Sequence, residues 1–241
     1  MSQDKKSGPR SSGNKLDVLR KHPIFSDLEP DAFDQLCRYA KLSNLKRGAM
    51  ICSKGDVGNS LYAVISGTVK ISTSSAEGRS AILNLIGTGE VFGEIALLDG
   101  GERTTDAIAN SDCELFVIDR REFIPFLHGQ PALAMKFIKL LCARLRWTSE
   151  HVEQIILQDL PGRLASALIR LTEKHRQSPA ARTISITQQE ISEMVGMSRE
   201  SINKQLRAWE TRNWVRLEHG AIVVLDAAQL QALADAGSRG E

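Results

Sequence analysis

The spacing of apolar residues changes period along the chain, and each change marks a different kind of element. Residues 16–39 read as helical, with Asp31, Phe33 and Leu36 following the turn at Glu29-Pro30. Over residues 45–118 the pattern breaks into short apolar runs, among them Met50-Ile51-Cys52, Leu61-Tyr62-Ala63-Val64-Ile65, Val69-Lys70-Ile71 and Ala81-Ile82-Leu83. Asp106-Ala107-Ile108-Ala109 and Glu114-Leu115-Phe116-Val117-Ile118 close the series. Turn signals separate the runs at Gly55, Gly67, Gly78 and Gly87-Thr88-Gly89. Many short strands about ten residues apart predict a β-sandwich or jelly roll. Phe92-Gly93-Glu94-Ile95-Ala96-Leu97-Leu98 departs from the pattern as a short helical turn, and residues 99–105 return to a strand.

A heptad follows. Ala134, Ile138, Leu141, Leu145, Thr148, Val152 and Ile155 fall alternately four and three residues apart, the seam of two helices packed along each other. A buried helix of a monomer gives the same pattern over so short a run. Thr148, with Ser149 beside it, is the polar exception. Asp159-Leu160-Pro161-Gly162-Arg163 then interrupts the helix as a hinge.

Beyond the hinge, residues 164–171 form an apolar-striped helix that ends in a polar loop. Thr187-Gln188-Gln189-Glu190 is a capping box that opens a helix with Ile191, Met194 and Val195 inward. Gly196 makes a turn and Ser198 caps a second helix, with Ile202, Leu206 and Trp209 on its inner face. Arg199, Glu200, Asn203, Lys204 and Arg207 share the outer face. Helix, tight turn and second helix with basic and amide groups outward make a helix-turn-helix, although an ordinary solvated face has the same composition. Trp214-Val215-Arg216-Leu217 and Ala221-Ile222-Val223-Val224 flank Glu218-His219-Gly220 as a hairpin, so the module is winged.

Composition narrows the function classes. The 241 residues are 42% hydrophobic and 25% charged, as in globular protein, and a net charge of +2 implies no partner. Cys37, Cys52, Cys113 and Cys142 are scattered, which fits free thiols in a reducing cytoplasm and neither a zinc nor an iron–sulfur site. His22, His128, His151, His175 and His219 show no metal pairing and are expected at the surface. Residues 1–15 read as a disordered tail without a signal peptide, and no run is long enough to span a membrane. No nucleophile–base constellation, P-loop or kinase signature is present, so an enzyme is not expected.

The turn at Gly93-Glu94 holds the candidate chemistry. A helix N-terminus approached through glycine attracts phosphate, and Arg103 can add bidentate contacts. A carboxylate there makes sense if Glu94 accepts from sugar hydroxyls while Arg103 neutralises a phosphate; a surface ion pair of the two is the plain alternative.

Phe92-Gly93-Glu94-Ile95-Ala96-Leu97-Leu98 with Arg103-Thr104, Arg144-Leu145-Arg146-Trp147-Thr148-Ser149 and Met197-Ser198-Arg199-Glu200-Ser201-Ile202-Asn203-Lys204 together resemble the CRP/FNR family of transcription regulators. The resemblance implies an α+β chain with five parts: a tail (1–15), a cyclic-nucleotide-binding β jelly roll (16–130), a long dimerisation helix (131–158), a hinge (159–163) and a winged helix-turn-helix (164–241). It implies a ribose contact at Glu94, phosphate contacts at Arg103 and Thr104, and backbone neighbours at Gly93 and Ile95. Thr148 and Ser149 would meet the base across the two-fold. The effector so implied is cAMP, with cGMP as the alternative and no metal. Ser198, Arg199, Glu200, Asn203, Lys204 and Arg207 are the implied DNA-binding residues, on a palindromic operator. Lys204 departs from the family's second arginine, which loosens base choice there. Relatives touch RNA polymerase through the loop matching residues 174–182, so polymerase is an implied partner. The readings left open are the same fold with another effector or none, and a cyclic-nucleotide-binding regulatory subunit of an enzyme.

Overall fold

A computed structural model describes residues 18–75, 77–174 and 183–236. The expected tail, most of the loop 174–182 and His175 lie outside the described residues. The chain divides into two compact units, Met1–Arg79 with Leu83–Leu141, and Ser80–Ile82 with Cys142–Glu241.

In chain order the first part runs α1 (Pro30–Tyr39), β1 (Ala40–Leu45), β2 (Met50–Cys52), β3 (Ser60–Ser66), β4 (Val69–Ser74), β5 (Ser80–Ile86) and β6 (Val91–Phe92). It continues with α2 (Glu94–Asp99), β7 (Asp106–Ala109), β8 (Cys113–Asp119), α3 (Arg120–His128) and α4 (Pro131–Leu157). The strands make two four-stranded sheets, ordered β1-β8-β3-β6 and β2-β7-β4-β5. Alternation along β3 builds the core. Leu61, Ala63 and Ile65 join Phe33, Leu36, Phe123 and Phe137 in a layer of helices, while Val64 packs with Val69, Phe92 and Leu115 between the sheets. Gly67 turns β3 into β4 in the left-handed region, where a Cβ would strike Asp112 O and Cys113 Sγ.

The jelly roll is as expected, with corrections at three places. Residues 16–39 do not form one helix: Pro30 sits at the first turn of α1, and the described residues before it are mostly turns between Pro23 and Pro30. β1 is a strand the apolar pattern did not mark, because Lys41, Ser43 and Asn44 carry little hydrophobic signal. Residues 99–105 are not a strand either; only a Val57–Glu102 bridge forms before β7 begins.

The first turns of α4 bury Leu133 and Phe137 against Phe123, whose ring meets Phe137 edge-on at 5.4 Å. The heptad seam faces out: Ile138, Leu145, Val152 and Ile155 are 49–68% exposed in the single chain.

The second part runs α5 (Leu160–Lys174), β9 (Thr183–Ile184), α6 (Gln188–Val195), α7 (Arg199–Thr211), β10 (Val215–Glu218), β11 (Ala221–Val224) and α8 (Ala227–Ala236). Its sheet is β10-β11-β9, so the hairpin gains a short third strand. The expected interruption at residues 159–163 contracts to Gln158 and Asp159. Pro161 and Gly162 lie in the first turn of α5, where proline costs no helical hydrogen bond, and Asp159 Oδ1 accepts from Gly162 N at 2.9 Å. Gln158 is buried at this break and donates to Ala234 O at 2.9 Å. Among the described residues, no helix is long and apolar enough to cross a membrane.

Candidate functional site

The expected cassette residues Gly93, Glu94 and Arg103 come together around the start of α2. Gly93 caps this helix with φ +82°, a conformation that strains any side chain. Its carbonyl accepts from Arg103 Nη1 at 2.9 Å, and Ser60 O accepts from Nη2 at 2.7 Å. These are charge-assisted bonds in a shielded place, since Arg103 is only 6% exposed. Its guanidinium also lies 5.3 Å from the Tyr62 ring centre, and Tyr62 in turn stacks on Phe92 at 4.8 Å. Burial pushes the Tyr62 phenol above its ordinary value, and the Arg103 charge acts in the opposite direction.

Glu94 is fully buried and stands in the first turn of α2, where a negative charge suits the helix dipole. Glu94 and Arg103 are therefore not the surface ion pair of the plain alternative. Arg103 Nε is buried and reaches no hydrogen-bond acceptor among the described residues. Nε is thus the one guanidinium nitrogen with no protein acceptor there, beside a backbone kept free of side chain at Gly93. Thr104 and Ile95 are exposed next to it. Ser60 and Tyr62 belong to the site and escaped sequence reading, because nothing in a strand pattern tells which side chain meets an arginine 40-odd residues later.

Thr148 and Ser149 are exposed on α4, in the other compact unit. Their hydroxyls donate to Arg144 O at 2.9 Å and Leu145 O at 3.1 Å. Their oxygen lone pairs stay available as acceptors.

The helix-turn-helix is built as its sequence dictates. Thr187 and Glu190 form both bonds of the capping box, Gly196 ends α6 in the left-handed region, and Ser198 caps α7 by accepting from Ser201 N at 3.1 Å. Ile202, Leu206 and Trp209 are buried, which turns Arg199, Glu200, Lys204 and Arg207 to solvent. Asn203 is half-buried and accepts from Gln188 Nε2 at 3.2 Å, a contact that sequence reading missed. Arg207 pairs with Glu210 at 2.9 Å. That leaves Arg199, Glu200 and Lys204 as the outward groups on this face without a side-chain partner among the described residues.

Two histidines depart from the expected surface placement. His22 is half-buried against Phe25, and His151 stacks on Trp147 at 5.3 Å. Among the described residues no group of His, Cys, Asp and Glu can hold a metal ion, and the four cysteines are free.

Residues 42–129 match the cyclic nucleotide-binding domain family, and residues 162–233 match the Crp-like helix-turn-helix domain. The chain is 32% identical over 217 residues to a CRP-like cAMP-activated global transcriptional regulator of Mycobacterium tuberculosis, covering 89% of this chain and 97% of that one. It is also 32% identical to the cyclic AMP receptor protein of Thermus thermophilus, over 90% of this chain and 98% of the relative. The crystal structure of the Thermus thermophilus catabolite activator protein superposes with a TM-score of 0.52 over 89% of this chain and 99% of its own, at 32% identity. FixK2 from Bradyrhizobium japonicum shares the fold, with a TM-score of 0.74 at 19% identity over 80% of this chain and 96% of its own.

Proposed function

Since the chain belongs to the CRP/FNR family of transcription regulators, we propose that it is a cytoplasmic homodimer that binds a palindromic operator under the control of a cyclic nucleotide, cAMP before cGMP. The observation that carries the effector reading is Arg103: a buried guanidinium fixed by two main-chain carbonyls, with Nε uncommitted beside the bare backbone of Gly93. In this reading Arg103 and Thr104 hold the cyclic phosphate, Glu94 accepts from the ribose hydroxyl, and Gly93 and Ile95 supply the backbone wall. Thr148 and Ser149 meet the base. Both hydroxyls spend their proton on the preceding turn, so each is poised to accept. Adenine offers an amino donor at its 6-position where guanine offers a carbonyl acceptor, which favours cAMP. The name of the Mycobacterium tuberculosis relative, a cAMP-activated regulator, supports the same choice.

Dimerisation draws support from the apolar seam that a single chain leaves exposed on α4. A two-fold pair would bring its recognition helices α7 to half-sites about one helical turn apart. Arg199 would fork onto guanine, Glu200 accept from cytosine, and Lys204 reach a base or phosphate; Ser198, Asn203 and Arg207 would fix the helix on the backbone. Nucleotide would act by binding one setting of the break at Gln158-Asp159 more tightly than the other. RNA polymerase would be the partner of a DNA-bound dimer, and the chain itself acts by binding rather than catalysis.

Calorimetry with cAMP and cGMP, paired with the mobility of an operator duplex, tests this. Saturable heat for cAMP and a shift strengthened by it are expected, with both lost in Arg103→Leu. DNA affinity unchanged by either nucleotide would refute nucleotide control and favour the same fold with another effector or none. That competing reading draws on the two main-chain carbonyls, which already engage one hydrogen on each Nη of Arg103.

A further inference from the structure

A cavity of about 470 Å³ lies among the C-terminal half of α4, α5, α6 and α8, all within the second compact unit. Its size suits a small organic ligand. Its lining holds two half-buried arginines, Arg163 and Arg170. Arg163 donates from Nη2 only to the Met197 thioether at 3.0 Å, and its Nε is buried without an acceptor among the described residues. Arg170, half-buried, donates from Nη2 to the Met194 thioether at 3.4 Å and lies 4.8 Å from the Trp147 ring centre. Thioether sulfur is a weak acceptor, and among the described residues neither half-buried guanidinium pairs with a carboxylate. His151, stacked on the Trp147 ring, has its imidazole pKa pushed down by burial and by the Arg170 charge. The interior is therefore short of negative charge.

The exposed part of the lining has the opposite sign. Glu150, Glu173 and Asp235 belong to the same lining, and all three are exposed where both arginines are half-buried. A dianion would be drawn to the arginines and repelled by the carboxylates. A molecule with a carboxylate at one end and an ammonium at the other matches both.

We propose that this cavity is a second ligand site, distinct from the jelly roll, that takes a zwitterionic metabolite of the amino-acid class. Its carboxylate sits on Arg163 and Arg170, and its ammonium faces Glu150 and Glu173. Because the cavity joins the end of α4 to α5 and α8, its ligand would brace the segment at the Gln158 break. The proposal is independent of which nucleotide, if any, the jelly roll binds.

The test is calorimetry of the full chain with the common L-amino acids, with succinate and inorganic phosphate as comparators, titrated into the millimolar range. Saturable binding of at least one amino acid, stronger than either comparator, is expected. Arg163→Gln and Arg170→Gln should weaken it about tenfold to a hundredfold, the effect of losing a hydrogen bond to a charged group. Ala167→Leu fills the cavity from its lining without touching a charge, so it should abolish binding even where an arginine variant fails to fold. Arg103→Leu should leave amino-acid binding in place. Absence of saturable binding, binding that survives Ala167→Leu, or succinate or phosphate binding as tightly as any amino acid would overturn the proposal.

Discussion

A single methyl group at Gly93 tests how the cassette is held. A Cβ built there would stand 2.6 Å from Arg103 Nη1, 3.0 Å from Ser60 O and 3.1 Å from Tyr62 Cδ2. Non-bonded contacts of this kind are comfortable at about 3.5 Å, so the guanidinium must withdraw by roughly 1 Å. That withdrawal breaks the 2.9 Å bond from Nη1 to Gly93 O. A hydrogen bond to a charged group contributes about 1.5–3 kcal/mol. Alanine at a left-handed φ costs about 1–2 kcal/mol more. Gly93→Ala should therefore lose about 3–4 kcal/mol, a large share of the roughly 5–15 kcal/mol that holds a native protein together. At about 2–4 °C per kcal/mol for a chain of this size, the jelly-roll melting transition should fall by about 10 °C. Nucleotide affinity should fall with it, since Arg103 is the displaced group. Differential scanning calorimetry with and without cAMP reads both. A variant that melts within about 2 °C of the wild type would show that Arg103 is not clamped to the glycine turn, and the site geometry argued from that clamp would fail.

Three further outcomes follow from other parts of the chain. Leu145→Glu places a charge on the most exposed seam position named on α4, 68% open in the single chain, and should convert a dimer to monomers by light scattering; a variant that keeps the dimer mass would move the interface elsewhere. Thr187→Ala removes the hydroxyl that accepts from Glu190 N at 3.1 Å and should cost about 1 kcal/mol, read as a lower urea midpoint at unchanged slope; an unmoved midpoint refutes the capping role. His151 has a folded pKa below its unfolded value, so the unfolded chain binds the extra proton. Its contribution to stability is complete above about pH 6.5 and is lost as pH falls from there through the lowered folded value. His151→Gln should flatten that part of the melting-versus-pH curve, and an unchanged curve would mean that another group carries the acid sensitivity.

Some of this protein was readable without coordinates, because the information is local. A capping box, a glycine turn and an i, i+4, i+7 stripe of Ile202, Leu206 and Trp209 each specify their element within a few residues, and their order points to a helix-turn-helix. The strand runs between glycines were equally plain. The family resemblance carried the rest of the functional reading, since Glu94 and Arg103 by themselves were compatible with an ordinary ion pair.

Tertiary structure decided what depends on partners distant in sequence. The polar edge strand Ala40–Leu45 exists because β8 offers it a register, Ala40 opposite Ile118 through Leu45 opposite Cys113. Arg103 is a clamp because Ser60 and Gly93 turn their carbonyls to it. The helix break moved to Gln158 because Pro161 and Gly162 fit a helix's first turn, and because Gln158 finds Ala234 at the far end of the chain. The cavity lined by Arg163 and Arg170 had no sequence signature, since its lining is gathered from four helices and no one segment carries it. Periodicity fixes which face of an element is apolar; only packing decides what that face, or a charge beside it, will meet.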